Sequence, residues 1–199
     1  MKIQVAKSAG FCFGVRRAVE MTQKLAAQGG RVFTLGELVH NPQVTDSLTL
    51  QGIQAVEDPS QVPSGGQLVI RAHGVPKAVY QELERKGIFY QDATCPFVQR
   101  IHRIVEKLPV QDSLVLLAGK DEHPEIIGII GHCQAPVKTF VTAQEAKGIL
   151  ENAVKNGIKN LYMLSQTTFS RPEWEKSAAI AKKVYTNINI FDTICKATV

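Results

Sequence analysis

Short β-branched runs alternate with stretches of helical periodicity along the whole chain, and no other feature narrows the possible folds as far. Runs that read as strands cover residues 3–6, 32–35, 67–71, 113–118, 138–140, 161–164 and 188–191. Between them, apolar residues recur every three or four positions. Residues 14–28 place Val15, Ala18, Val19, Thr22, Leu25 and Ala26 on one face before Gly29 and Gly30 stop the helix. Residues 76–86 open on Pro76 and end at Gly87, and residues 96–108 open on Pro96. Pro124 opens a further short helix. Thr142 with Glu145, and Ser170 with Glu173, predict capping boxes for helices over 143–156 and 172–185. Strands and helices alternating at this spacing predict an α/β fold built from small, repeated parallel-sheet units.

The rest of the composition excludes more than it assigns. Hydrophobic residues at 44% and charged residues at 21% are ordinary for a globular chain of 199 residues, so a disordered or collagen-like chain is excluded. The first ten residues contain no apolar core of a secretory signal. The longest uncharged stretch, 126–137, holds His132, Gln134 and Pro136 and falls short of the ~20 residues that span a bilayer. The expectation is a cytoplasmic protein with no membrane partner, whose thiols stay reduced. A net charge of +5 suits an anionic ligand but is too diffuse to point to nucleic acid.

The four cysteines, Cys12, Cys95, Cys133 and Cys195, form no CxxC pair, which takes away the main support of the zinc-ribbon and thioredoxin readings. Three of them share a setting. Asp92-Ala-Thr-Cys95 and Asp192-Thr-Ile-Cys195 repeat one form about a hundred residues apart, and Cys12 lies in Gly10-Phe-Cys12-Phe-Gly14-Val. All three are expected to follow strands. Cys12 and Cys95 also fall at helix N-termini, where partial positive charge favours thiolate. Cys133 sits in an apolar helical stretch and reads as structural. The echo divides the chain into a first α/β unit over 1–94 and a second over 95–194, with 195–199 opening a third.

Polar residues gather after the strands, where α/β folds bind ligands. His40, His73 and His123 occupy three such loops, Glu125 follows His123 at a helix opening, and Ser165-Gln-Thr167-Thr occupies a fourth. Imidazoles there can hydrogen-bond phosphate oxygens. A carboxylate at a helix opening either complements the helix dipole or relays protons. Three thiolates can hold an iron–sulfur cluster with one iron left open, or a catalytic zinc; one thiol with a histidine base can make a hydrolase. A non-catalytic metal- or phosphate-binding module also fits these residues.

Taken together, Gly10-Phe-Cys12-x-Gly14-Val, Val39-His40-Asn41, Ala72-His73-Gly74-Val75, Asp92-Ala-Thr-Cys95-Pro, Gly119 through His123-Pro-Glu125, Ser165-Gln-Thr-Thr168 and Ile194-Cys195-x-Ala-Thr resemble the LytB/IspH family of 4-hydroxy-3-methylbut-2-enyl diphosphate reductases. The strings occur in family order over almost the whole chain. The resemblance implies an iron–sulfur oxidoreductase of isoprenoid synthesis that yields isopentenyl and dimethylallyl diphosphates. It implies a 4Fe-4S cluster with Cys12, Cys95 and Cys195 as ligands and one open iron site. His40 and His73 resemble the family's diphosphate-binding histidines and His123 a third histidine beside the substrate. Glu125 and Thr167 resemble its proton-relay pair, and ferredoxin or flavodoxin would be the electron donor.

The resemblance also implies a fold of three related units around the cluster. This sequence carries two, and it lacks the family's later Ser-x-Asn pair and further serine. The expectation is therefore a truncated form, missing the third unit of the trefoil, with weak or no activity of its own.

Overall fold

A computed structural model of the chain describes residues 3, 4 and 9–198, the last by its backbone alone. The chain divides into two compact units, Met1–Ala72 with Gly87–Cys95, and His73–Lys86 with Pro96–Val199.

In the first unit, α1 (Phe13–Ala27) precedes β1 (Val32–Leu35), α2 (Pro42–Leu50), β2 (Gln54–Val56), β3 (Gln67–Ile70) and β4 (Tyr90–Asp92). All strand pairs are parallel, in the order β2-β1-β3-β4. Every residue of β1 is buried, as suits a central strand flanked on both sides. Leu35 ends level with Val56 on one side and Ile70 on the other, which aligns the loops that follow. Ala18 and Leu25 of α1, Val44 and Leu48 of α2, and Val32 and Val69 of the sheet form the core.

The second unit holds α3 (Lys77–Lys86), α4 (Pro96–Val105), β5 (Ser113–Ala118), α5 (Pro124–His132), β6 (Val137–Phe140), α6 (Ala143–Lys155), β7 (Asn160–Ser165), α7 (Arg171–Val184) and β8 (Asn189–Ile190). Its sheet is again parallel throughout, ordered β6-β5-β7-β8. The run Ser-Leu-Val-Leu-Leu-Ala of β5 is apolar because helices cover both faces. Leu114, Leu116 and Ala118 point into a core with Phe140, Leu150 and Trp174. Val115 and Leu117 point the other way, onto Ile101, Ile126, Ile129 and Leu164. The two-residue alternation of a strand thus feeds two cores at once. Each fully buried Leu or Ile contributes about 1.5–3 kcal/mol.

The α/β architecture agrees with the sequence reading; several details do not. Of the strand expected at 3–6, Ile3 and Gln4 have no regular structure, and the rest lies outside the described residues. No strand among the described residues therefore precedes Cys12. The helix expected over 96–108 ends at Val105. α5 stops at His132, so Cys133 is its C-cap and not part of the helix. Thr142 caps α6 by accepting from the Glu145 N–H, and Glu145 Oε2 accepts from the Val141 N–H at 2.8 Å. Ser170 makes no such cap: Glu173 instead reaches across to accept from the Ala143 N–H at 2.7 Å, tying α7 to α6. Among the described residues, no helix is long and apolar enough to cross a membrane.

Candidate active site

Both sheets reverse direction of winding at the same place, between β1 and β3 in the first unit and between β5 and β7 in the second. Loops leaving such a switch point at the strands' C-terminal ends form a crevice suited to ligands. The two units furnish these loops alike. Gly36 follows β1 and Gly119 follows β5, and in each case a histidine comes four residues later, His40 and His123. Arg71 lays its guanidinium over Gly36, and Gln166, the matching residue after β7, lays its amide over Gly119. A Cβ at either glycine would occupy the space of those side chains, and both glycines have positive φ, 69° and 154°.

The cysteine-bearing segments match as well. Asp92 Oδ1 accepts from the Thr94 N–H at 2.9 Å, and Asp192 Oδ1 accepts from the Ile194 N–H at 3.4 Å. This side-chain turn explains the shared D-x-x-C form. The Cys95 N–H then donates to the Ala72 carbonyl at 2.9 Å, and the Cys195 N–H donates to the Thr167 carbonyl at 2.8 Å. Buried Thr193 adds an anchor in the second unit: its hydroxyl donates to the Ser165 carbonyl and accepts from the Ser165 N–H.

Where the repeat is broken, chemistry appears. In the first unit the Ala72 N–H donates to the main-chain carbonyl of Leu38 at 3.1 Å. In the second unit the matching N–H, that of Thr167, donates to a carboxylate, Glu125 Oε1, at 2.6 Å. The Thr167 hydroxyl donates to Glu125 Oε2 at 2.7 Å. Alanine has become threonine, and a backbone acceptor has become an acid. Glu125 is 2% exposed. Burial pushes its carboxyl above the ordinary range, and the two hydrogen bonds from Thr167 oppose that shift without cancelling it.

Glu125 owes its place to α5. His123 is the helix N-cap, and its Nδ1 accepts from the Glu125 N–H at 3.1 Å, which leaves the ring proton on Nε2. His73 meets His123 edge-on, with ring centroids 5.9 Å apart. The second unit thus gathers His73, His123, Glu125, Thr167 and the backbone of Cys195 at one end of its sheet.

The remaining sequence candidates lie in the first unit. Cys12 is the N-cap residue of α1 and is exposed. Two residues on, a Cβ at Gly14 would stand 2.6 Å from Cys95 Sγ, so only glycine leaves the thiol its place beside the helix's first turn. Arg17 of α1 donates to the carbonyls of Asp92 and Thr94, both at 3.3 Å, and so clamps the segment that ends in Cys95. No sequence pattern singles out Arg17, because its partners lie 75 and 77 positions away. His40 stands at the surface, its Nδ1 3.7 Å from Glu37 Oε2. Cys133 packs against the core of Ile101, Ile126 and Leu164 and donates to the Ala135 carbonyl.

Among the described residues, no three His, Cys, Asp or Glu side chains stand close enough together to hold a metal ion. The donor chemistry nevertheless suits an iron–sulfur group: the first unit brings two thiols to one helix end, with Gly14 kept bare to admit Cys95, and the second fixes Cys195 by its backbone.

A family model described as LytB protein matches residues 3–199. The 4-hydroxy-3-methylbut-2-enyl diphosphate reductase of Caldanaerobacter subterraneus subsp. tengcongensis is 36% identical over 204 residues, which cover 100% of this chain and 68% of that protein. The enzyme of the same name from Alkaliphilus oremlandii is 37% identical, covering 100% and 69%. A solved structure of (E)-4-hydroxy-3-methyl-but-2-enyl diphosphate reductase, the terminal enzyme of the non-mevalonate pathway, superposes with a TM-score of 0.83 at 31% identity, over 98% of this chain and 68% of that one. The Plasmodium falciparum reductase superposes with a TM-score of 0.84 at 26% identity, over 96% and 60%. This chain belongs to the LytB family of oxidoreductases of isoprenoid biosynthesis.

Proposed function

We propose that this chain serves the reduction of 4-hydroxy-3-methylbut-2-enyl diphosphate, with loss of the hydroxyl as water, to isopentenyl and dimethylallyl diphosphates, with weak turnover of its own. The observation that carries the reading is the buried Glu125–Thr167 pair at the switch point of β5 and β7, where the internal repeat is broken. The overall change consumes two electrons and two protons. Cys12, Cys95 and Cys195 would hold a 4Fe-4S cluster, which would relay electrons from a carrier and offer a Lewis-acidic iron.

The chain's own residues manage protons and charge. A carboxyl that burial keeps protonated above the ordinary range is a suitable acid for a departing hydroxyl. The Thr167 hydroxyl, bonded to Glu125 Oε2, extends the path by one donor and can pass the proton on. His123 presents an Nε2–H, because its Nδ1 accepts from the Glu125 N–H. His40, His73 and His123 offer imidazole N–H groups to the diphosphate, whose negative charge the chain's net +5 also favours. A soluble one-electron carrier, ferredoxin or flavodoxin, supplies the electrons, and the reaction runs in the cytoplasm.

Anaerobic reconstitution with iron and sulfide tests the reading. Cys12→Ser, Cys95→Ser and Cys195→Ser should each lower iron content sharply, while Cys133→Ser retains it; equal losses at all four positions would sink the ligand set. In the reconstituted protein, supplied with a chemical one-electron reductant, Glu125→Gln should lower turnover by about 10²–10⁴.

A further inference from the structure

His73 reaches the second unit's site on a segment, His73-Gly-Val-Pro76, that belongs to no helix or strand. Helix α5 provides its seat. A Cβ at Gly128 would lie 3.6 Å from the His73 carbonyl oxygen and 3.7 Å from the Gly74 carbonyl carbon. A Cβ at Gly131, one turn on, would run into Pro76. The glycines at this spacing share one helix face and leave it bare for the segment to lie on.

One side chain closes over that seat. His132, the last residue of α5, points Nε2 at the Val75 carbonyl, 3.1 Å away. A carbonyl only accepts, so Nε2 is the donor. The other ring nitrogen, Nδ1, meets Glu106 Oε1 at 2.9 Å, and Lys77 Nζ meets the same oxygen at 3.3 Å. The imidazole is stacked on His102 at 4.0 Å with an interplanar angle of 15°, and Tyr80 stands edge-on at 6.0 Å. His102 is buried, and the His132 side chain keeps 10% of its exposure. The ring is therefore held at both nitrogens and on one face, and it cannot turn without losing the Val75 bond. The contact with His132 is also the first cause that holds Glu106 below the ordinary carboxylate range.

We propose that His132 is a positioning residue: by holding the Val75 carbonyl against the bare face of α5, it sets the imidazole of His73 edge-on to His123. His132, Glu106 and Lys77 lie outside the set of candidate catalytic residues. His132 acts two residues along the backbone from His73. The proposal rests on the reading of His73 as a diphosphate ligand only for its functional consequence, not for its geometry.

The experiment compares His132→Ala with His132→Gln in the anaerobically reconstituted protein. Glutamine can still donate to Val75 but does not reproduce the pairing with Glu106. Both variants should melt lower than the parent. Only His132→Ala should move the ring resonances of His73 and His123, and only it should weaken binding of inorganic pyrophosphate, by about tenfold for one lost hydrogen bond. Glutamine should restore both readouts to within about twofold of the parent. A merely structural His132 would lower melting in both variants and move both sets of resonances equally or not at all; either result overturns the proposal. If the parent binds no pyrophosphate, the diphosphate reading of His73 falls, and the ring resonances alone decide the role of His132.

Discussion

Glu125→Gln separates a buried proton store from a merely buried side chain. In the folded chain Glu125 is 2% exposed and its carboxyl is raised above 4.5, chiefly by burial. Below the unfolded-state pKa both states are protonated, and the residue adds no pH dependence. As pH rises above about 4.5, the unfolded chain ionises while the folded chain resists, so folding stability falls. The loss runs at ~1.4 kcal/mol per pH unit and ends at the folded-state pKa. Glutamine removes that term. It also keeps the geometry: its carbonyl accepts from the Thr167 N–H, and the Thr167 hydroxyl turns to accept from its amide. The exchange of the carboxyl's two hydrogen bonds for those of an amide costs about 1 kcal/mol each at most. Urea denaturation followed by Trp174, the chain's single tryptophan and a core residue of the second unit, reads the effect locally. With m of roughly 1–3 kcal/mol/M, the parent's midpoint should fall relative to that of Glu125→Gln by about 0.5–1.4 M per pH unit above pH 4.5. Midpoints that run parallel across pH 4–8 would refute the raised carboxyl and with it the acid role.

Two further outcomes follow from other contacts. Gly14→Ala places a methyl 2.6 Å from Cys95 Sγ; overpacking of about 1–3 kcal/mol should lower the melting temperature, and iron content after reconstitution should drop with it, whereas Gly148→Ala in α6, which meets no atom within 4 Å, should leave iron content unchanged. Glu106 lies below 4.5, first through its hydrogen bond from His132, so its contribution to stability is present above pH 4.5 and lost as pH falls through its folded value. Thermal melts of Glu106→Gln should therefore show a shallower acid limb than the parent.

The parts that could be read from the residues are those where local pattern and tertiary demand agree. β5 is a continuous apolar run because its two faces serve two cores, and glycine or proline punctuates most helices where the backbone needs it. β2 could not be read: Gln-Ala-Val is short and largely exposed, and it is a strand only because β1 offers it an edge. α2 was hidden for a similar reason. Its sequence, PQVTDSLTL, is poor in helix formers, and it is started by the Asn41 side chain accepting from the Val44 N–H at 3.1 Å. Ser170 carried the right capping pattern, but Glu173 found a better donor on the neighbouring helix. The site shows the same division. Glu125 and Thr167 were nominated by resemblance, yet their pairing spans 42 positions and exists only because β5 and β7 are neighbours. The seat at Gly128 and Gly131 had a signal, two glycines three apart in a helix where alanine would be more stable, and that cost points to a close approach.

The two units also serve as controls for each other. Besides the matching histidines and cysteines, what they share is scaffold: the strand order, the glycine under a long polar side chain, the aspartate turn, the cysteine N–H bonded two residues beyond a strand. A duplicated scaffold places equivalent side chains at equivalent ends of two sheets at no new conformational cost, so selection needs only to change what those positions carry. At the position of Ala72 the first unit spends its N–H on a main-chain carbonyl and has no side chain to offer. At the position of Thr167 the second unit brings in a buried acid and a hydroxyl, which is an unfavourable place for a carboxylate and therefore a poor choice for stability alone. An unfavourable group held by two short hydrogen bonds, where the sister unit does without it, supports the proposed proton role, because stability alone would not place it there.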